Sequence, residues 1–310
     1  MRVLYMGTPD FAVPSLKKIQ SAGHCVCAVI TQPDKPQGRG MKMTAPPVKV
    51  LALSDGIPVY QPETLKDGAI APLLCELKPD VIVVVAYGKL LPQYVLEFPR
   101  YGCVNLHGSL LPKYRGAAPI QRAVINGECE SGVSTMFLNE GMDTGDVIFS
   151  EKTAIGERDT AEDLFVKLAD IGAELLVKTI NAIEDGTAPR AAQDNTQATY
   201  APMLSKESAV IDWSASDTEI LNLVRGCYSW PIATTSHDGV KIKVYSAQTG
   251  SETSAPSGRV IACDESGMQV AAGNGRSIRI TMLQFTGGKR MAPCEYFRGH
   301  ESIISKKLGD

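Results

Sequence analysis

The sequence predicts an α/β chain in which a Rossmann-like, doubly wound sheet is followed by a smaller domain of short β-strands. Two observations carry that expectation. Through the first part, apolar β-branched runs alternate with stretches of helical period. After Gly186 the periodicity stops, and strand-like pieces follow that are bounded by Gly, Asp and Ser. The expected division is a first domain over 1–188, a linker over 189–205 and a second domain over 206–310.

The opening run "RVLYMG" reads as a strand, "FAVPSLKKIQSAG" as a helix with Phe11, Leu16 and Ile19 on one face, and "CVCAVIT" as the second strand. Between the first two, "MGTPDFAVPS" has only Gly7 and reads as a plain strand-to-helix turn with Pro9 at the helix start. It lacks G-x-G-x-x-G, and no acidic residue ends the second strand, so a nicotinamide-dependent dehydrogenase is disfavoured. The run "VIVVVAYG" follows the amphipathic "AIAPLLCELKPD" and is continuous enough to be a strand buried on both faces. "YGCVNLH" is the next strand and "AAPIQRAVING" the next helix. "GVSTMFLNEGMDTGDVIFSE" reads as two strands around an acidic turn. A long amphipathic helix then runs from a cap at Asp159 or Thr160, with Glu162 and Asp163 in its first turn. "TAPRAAQDNTQATYAPML" is polar and aperiodic, as a linker would be. Beyond it come a short helix in "DTEILNLVRGCYSW" and strands in "IATTSHDGVKIKVYSAQ", "SGRVIACDESGMQVAAGNG" and "SIRITMLQFTGG", a pattern that fits a small barrel or a sandwich.

Composition narrows the function classes. The 310 residues are 44% hydrophobic with a net charge of −3, and no apolar run approaches the ~20 residues of a membrane span. The eight cysteines are scattered without a C-x-x-C pair, which points to neither zinc nor a disulfide framework and suits a reducing cytoplasm. The start of the chain is too polar and too soon broken by Gly7 and Pro9 for a secretory signal. Charge alone gives little reason to expect nucleic acid: residues 201–310 hold 12 Lys and Arg against 11 Asp and Glu. Nothing in the sequence demands a dimer, and a monomer is expected.

The chemistry concentrates in "NLHGSLLPKYRGAAP". On a strand, Asn105 and His107 point to the same side, at the carboxyl end where open α/β sheets keep their sites. Asp143, in the acidic turn, could reach the same edge; its neighbour Asp146 is the obvious decoy. An amide, an imidazole and a carboxylate would supply an oxyanion donor, an acid/base and the group that orients it. The bland alternative is a bonded core histidine beside a turn carboxylate. The stretch "TQPDKPQGRGMKMTAPP" is a long loop with few apolar anchors, bearing Lys35, Arg39 and Lys42; it is either a solvated connection or a mobile basic arm for a polyanion.

The pattern Asn105-x-His107-x-Ser109-Leu110-Leu111-Pro112, followed downstream by Asp143, resembles that of the folate-dependent formyltransferases. Further pieces, "YMGTPDFAVPSL", "TQPDKPQGRG", "AYGKLLP", "TYAPMLSKE", "IDW" and "LQFTGGKRM", resemble the branch of that family acting on methionine esterified to initiator tRNA, and they cover nearly the whole chain. The resemblance implies formyl transfer from 10-formyltetrahydrofolate, without a metal, and an OB-like barrel in the second domain that binds the tRNA. It implies Asn105, His107 and Asp143 as catalytic residues, with Ser109, Leu110, Leu111, Pro112, Tyr87, Gly88, Glu140 and Gly141 around the folate. Arg39, Lys35, Lys42 and Lys206 would face the tRNA. Rivals are formyl transfer to an amino-sugar nucleotide or a ribonucleotide, and an RNA-binding protein on an inactive scaffold.

Overall fold

The computed structural model describes residues 1–38 and 40–309, and the chain forms two compact units. One comprises Met1–Pro119, Glu130–Thr153 and Phe165–Ala201; the other gathers Ile120–Cys129, Ala154–Leu164 and the described chain from Pro202 on. No helix among the described residues is long and apolar enough to cross a membrane.

In chain order the elements are β1 (Arg2–Gly7), α1 (Val13–Ser21), β2 (Cys25–Ile30), β3 (Lys35–Gln37), β4 (Lys42–Thr44), α2 (Pro47–Ser54), β5 (Val59–Tyr60) and α3 (Ala71–Leu77). Next come β6 (Val81–Val85), α4 (Gln93–Leu96), β7 (Cys103–His107), α5 (Pro119–Ile125), β8 (Glu130–Phe137), β9 (Val147–Ala154) and α6 (Ala161–Glu184). The main sheet is seven-stranded with the order β5-β2-β1-β6-β7-β8-β9. The pairs β2–β5, β1–β2, β1–β6 and β6–β7 are parallel, and β7–β8 is antiparallel. From β1 the chain winds outward through β2 to β5, then returns to lay β6 on the other side of β1. The direction of winding therefore reverses between β1 and β6, and a crevice at the carboxyl ends of these strands is the expected ligand position.

All five residues of β6 are buried, as the unbroken "VIVVV" requires of a strand covered on both faces. On one face Ile82 and Val84 join Leu4, Met6, Ile30, Leu74 and Val95 in a core cluster. Each such aliphatic side chain contributes about 1.5–3 kcal/mol by leaving water. The turn after β1 is the plain one expected: Pro9 caps a single 3₁₀ turn at Asp10–Ala12 that leads into α1. Of the two candidate caps for α6, Thr160 takes the position. Its hydroxyl accepts from the Asp163 N–H at 3.2 Å, and the Asp163 carboxylate accepts from the Thr160 N–H at 2.9 Å.

The basic stretch differs from expectation. β3 and β4 pair as an antiparallel hairpin, with Lys35 opposite Thr44 and Gln37 opposite Lys42. Four prolines and two glycines hide strand signal from a pattern search, yet Pro36 fits a two-stranded ribbon because an edge position needs no N–H. Arg39 lies outside the described residues.

The second unit holds α7 (Asp217–Gly226), β10 (Ala233–His237), β11 (Val240–Glu252), β12 (Val260–Asp264), β13 (Gly267–Ala271), β14 (Arg276–Phe285) and α8 (Pro293–Phe297). Its sheet is five-stranded and antiparallel in the order β10-β11-β14-β13-β12. No ladder among the described residues joins β10 to β12. β11 changes register against β14 at Ser246 and again before Glu252, and such bulges bend a long strand over its core. That core contains Ile242, Val244, Val270, Ile278, Ile280 and Leu283, with Ile220 and Val224 of α7 and the Trp213 ring. The Trp213 indole N–H donates to Thr235 Oγ1 at 2.9 Å, satisfying the ring's one polar atom inside the core.

α7 begins with a capping box. The Ser216 hydroxyl accepts from the Glu219 N–H, and the Glu219 carboxylate accepts from the Ser216 N–H. Replacing Ser216 with Ala should lower stability by about 1 kcal/mol in urea unfolding, with no change in m-value.

Candidate active site

β7 ends at the carboxyl edge of the sheet beside β6, with Val84 opposite Asn105 and Val85 opposite Leu106. Alternation along the strand turns Leu106 the other way, against α6, where a Cβ on Gly172 would come within 2.6 Å of the leucine. Only glycine allows helix and strand to approach so closely there. Asn105 and His107 share the opposite face. Asn105 is half-buried, and among the described residues nothing hydrogen-bonds its side-chain amide.

His107 is buried, and its Nε2 lies 2.9 Å from the Tyr114 carbonyl oxygen. A carbonyl only accepts, so Nε2 carries the hydrogen and Nδ1 is the nitrogen left for other work. Nδ1 faces Asp143, whose Oδ2 is 3.7 Å away. That gap is too long for a direct hydrogen bond and short enough for an ion pair when the ring is protonated. The same Oδ2 accepts from the Gly116 N–H at 2.8 Å. Amide, ring and acid thus meet at one strand end. The Asp146 carboxylate has a different partner: it is half-exposed and sits 3.6 Å from Arg190 Nε.

The loop after β7 is folded by its own polar groups. Ser109 Oγ donates to the Lys113 carbonyl at 2.6 Å. Ser134 Oγ donates to the Ser109 carbonyl at 2.8 Å and accepts from the Leu111 N–H at 3.1 Å. The Ser109 hydroxyl is therefore spent inside the loop, whereas Leu110, Leu111 and Pro112 are each only half-buried. Tyr114 has φ +58°, which turns its carbonyl back toward His107. The strand-like bridge of Arg115 to Tyr200 pins the far end, through the Arg115 N–H to Thr199 O and the Ala201 N–H to Arg115 O.

Asp143 itself sits at φ +54°, a conformation that aspartate tolerates better than most residues. Sequence reasoning missed what holds it. Gln193 Nε2 donates to the Asp143 carbonyl at 2.9 Å and to the Gly145 carbonyl at 2.7 Å. Its Oε1 accepts from both Nε and Nη2 of Arg115, and the same Nη2 donates to Asn195 Oδ1 at 2.8 Å. Arg115 is 2% exposed, a buried cation held by amide oxygens. Gly145 admits no side chain, since a Cβ would fall 1.7 Å from the Phe137 carbonyl oxygen. Asn139 closes the turn by accepting from the Gly141 N–H and the Thr144 hydroxyl; Glu140 beside it is exposed.

Tyr87 and Gly88 follow β6 at the same edge. The Tyr87 carbonyl accepts from Thr8 Oγ1 and Gln32 Nε2. Its ring is buried, burial pushes the phenol up to about 12, and the hydroxyl has no hydrogen-bond partner among the described residues. Gly88 has φ +84°, and beyond it Leu90 exposes 67% of its surface. Lys35 and Lys42 are exposed on the β3–β4 hairpin, whose base is anchored by the Lys49 ammonium on Asp34 at 2.8 Å and on Gln61 at 2.7 Å. Those bonds from Lys49 and Gln61 hold the Asp34 carboxyl below its usual range. Lys206 is exposed in the second unit. Among the described residues no group of three His, Cys, Asp or Glu could hold a metal.

Residues 1–180 match the model of the family described as formyl transferase, and residues 203–301 match that of the formyl transferase C-terminal domain. The chain is 48% identical over 301 residues to the methionyl-tRNA formyltransferase of Pelotomaculum thermopropionicum, covering 96% of each. It is 47% identical over 311 residues to that of Acetivibrio thermocellus, covering 100% of each. Among solved structures, an N-formyltransferase from Helicobacter canadensis in complex with folinic acid and dTDP-3-aminofucose superposes with a TM-score of 0.67 at 21% identity, over 90% of this chain and 98% of the other.

Replacing Gln193 with Ala leaves two turn carbonyls without their donor and the buried Arg115 without its principal acceptor. The expected cost is about 1–3 kcal/mol in denaturant unfolding. Asp146→Ala, which removes a half-exposed carboxylate and its surface ion pair with Arg190, should stay within about 1 kcal/mol of the parent.

Proposed function

This chain belongs to the formyl transferase family, and from that premise we propose that it transfers a formyl group from 10-formyltetrahydrofolate to the α-amino group of methionyl initiator tRNA. One observation carries the choice of acceptor: the likeness to methionyl-tRNA formyltransferases extends through the second unit as well as the first. The shared face of Asn105 and His107 on β7 and the approach of Asp143 to the His107 ring support the chemistry.

The neutral amine attacks the formyl carbon, and a C–N bond forms as negative charge gathers on the formyl oxygen. The Asn105 amide, without a hydrogen-bond partner among the described residues and unable to ionise, donates an N–H to that oxygen. The attacking nitrogen must lose a proton and N10 must gain one before the N10–C bond breaks. Because Nε2 of His107 is engaged with Tyr114, any proton this ring exchanges is carried on Nδ1. A proton there lies opposite the Asp143 carboxylate, which keeps the ring oriented and balances its charge. The products are the N-formylated ester and tetrahydrofolate, with no covalent enzyme intermediate.

Ser109 to Pro112, Tyr87, Gly88, Glu140 and Gly141 form the walls proposed for folate. Ser109 serves by bracing its loop, and the pterin's amide-like edge meets backbone groups. Lys35, Lys42 and Lys206, with Arg39 beyond the described residues, supply the cations proposed to meet the tRNA phosphates. A hairpin fixed at its base and basic along its arm can order on the correct tRNA, which makes selection an induced fit.

Formylation of charged initiator tRNA by the purified chain, with glycinamide ribonucleotide as a competing acceptor, tests the reading directly. Preference for the ribonucleotide would refute it. Asn105→Ala should reduce kcat by about 10²–10³, with both substrates saturating. Asp143→Ala should also lower kcat strongly while the KM for folate stays within a few-fold; near-parent turnover in either variant would remove that residue from the mechanism.

A further inference from the structure

The second unit carries a cleft of about 430 Å³, lined among others by Phe285, Lys289, Glu295, Tyr296 and His300. Three of these residues form a ladder of parallel rings. Phe285 and Tyr296 stack with centroids 3.9 Å apart and planes within 7°, and Tyr296 and His300 stack at 3.9 Å and 4°. Phe297 packs edge-on against both Phe285 and Tyr296, which keeps the ladder upright. The inner rung, Phe285, is buried in the core, whereas His300 is exposed. The His300 Nδ1–H donates to the Tyr296 carbonyl at 2.8 Å, so the last ring is held flat on its neighbour and offers its outer face to solvent.

Charge says what could extend the ladder. Around the cleft the chain carries Lys289, Arg290 and Arg298 against Glu295 and Glu301, while Arg276 and Arg279 are already paired with Asp217 and Asp264. Arg290 lies 4.3 Å over the Tyr245 ring, and the turn at Thr286 is tied to the Lys241 carbonyl, which brings a further cation's strand alongside. A planar stack asks for an aromatic occupant, and an excess of cations asks for an anionic one. An unpaired nucleotide in an RNA strand satisfies both demands.

We infer that the Phe285–Tyr296–His300 ladder is a docking site for an unpaired nucleotide of the tRNA. The base stacks on the outer face of His300, Glu295 accepts from a base amino group, and Lys289 and Arg290 meet the flanking phosphates. This inference rests on the reading of tRNA as the acceptor and names a place on the chain where that partner is gripped.

The test uses the full chain, with two independent readouts. His300→Ala should raise the KM for charged initiator tRNA about tenfold while leaving kcat and the KM for folate unchanged. Binding of uncharged initiator tRNA, measured by filter retention, should weaken to the same degree. His300→Phe keeps a stacking face and loses the bond to the Tyr296 carbonyl, so it should recover to within about twofold of the parent. Unchanged tRNA binding in His300→Ala overturns the inference, and so does equal impairment of the Ala and Phe variants, which would assign His300 a role in holding Tyr296. Should the parent chain fail to formylate charged tRNA while its tRNA binding still depends on a ring at position 300, the proposed activity falls and the docking site stands.

Discussion

The hydrogen bond from His107 Nε2 to the Tyr114 carbonyl is the constraint on which the rest of the site depends. It fixes the tautomer and the ring plane together and leaves Nδ1 as the only exchangeable position. The acceptor exists because the chain after β7 doubles back, and it doubles back because Ser109 and Ser134 satisfy its main-chain groups from within. Tyr114 and Asp143 both adopt left-handed backbone conformations, each costing on the order of 1 kcal/mol or more. Such conformations persist where neighbours over-determine them. Here the neighbours are the Thr199 hydroxyl, which accepts from the Tyr114 N–H, and the Gln193 amide, which grips the Asp143 turn. Both lie in the segment after α6, so that segment builds the site from outside the sheet.

Rigidity is distributed unevenly over the first unit, in a way that matches the two tasks of a group transfer to a macromolecule. The carboxyl edge of β7 is locked by hydrogen bonds at nearly every residue as far as Arg115. The β3–β4 hairpin is anchored at its root, through Asp34, Lys49 and Gln61 and through the Gln32 side chain on the Tyr87 carbonyl. Along its arm Lys35 and Lys42 are exposed, and Met41 and Met43 show 66% and 60% of their surface. An arm with a fixed base has its reach set by the fold and its conformation left to the partner. Under the proposed function, chemistry that tolerates no misplacement and recognition that must adapt are thereby separated within one unit.

What the sequence disclosed follows from what leaves a periodic trace. A strand buried on both faces writes a continuous apolar run, so β6 was plain; a two-residue alternation puts Asn105 and His107 on one side, so half of the site was plain as well. The cap of α6 was narrowed to two adjacent residues because capping chemistry is local. The hairpin was not legible, because its strands are three residues each and proline masks their propensity. Gln193 was not legible for a different reason: a side chain that bonds main-chain carbonyls far away in the chain carries no spacing rule. Its stretch reads as a polar linker, and a density of Gln, Asp and Asn that could each bond a backbone was the one available signal. Choosing Asp143 over Asp146 from the residues alone was likewise impossible, since the two differ by fold-imposed direction.

Two polar groups at the adjacent ends of β6 and β7 have no protein partner among the described residues, and they differ in kind. The Asn105 amide is half-buried, so water can satisfy it until a ligand arrives, and its free donors cost the folded chain little. The Tyr87 hydroxyl is 1% exposed and unpartnered, so it carries a desolvation cost on the order of 1–3 kcal/mol that no bond repays. A group sealed in that way cannot be the one that meets a cofactor. If Tyr87 borders the proposed folate pocket, its ring and the backbone leading to Gly88 do the bordering, and the phenol serves the core. Burial thus agrees with the different parts that the resemblance gives the two residues: the open amide can act on the substrate, and the closed hydroxyl can only shape the wall behind it.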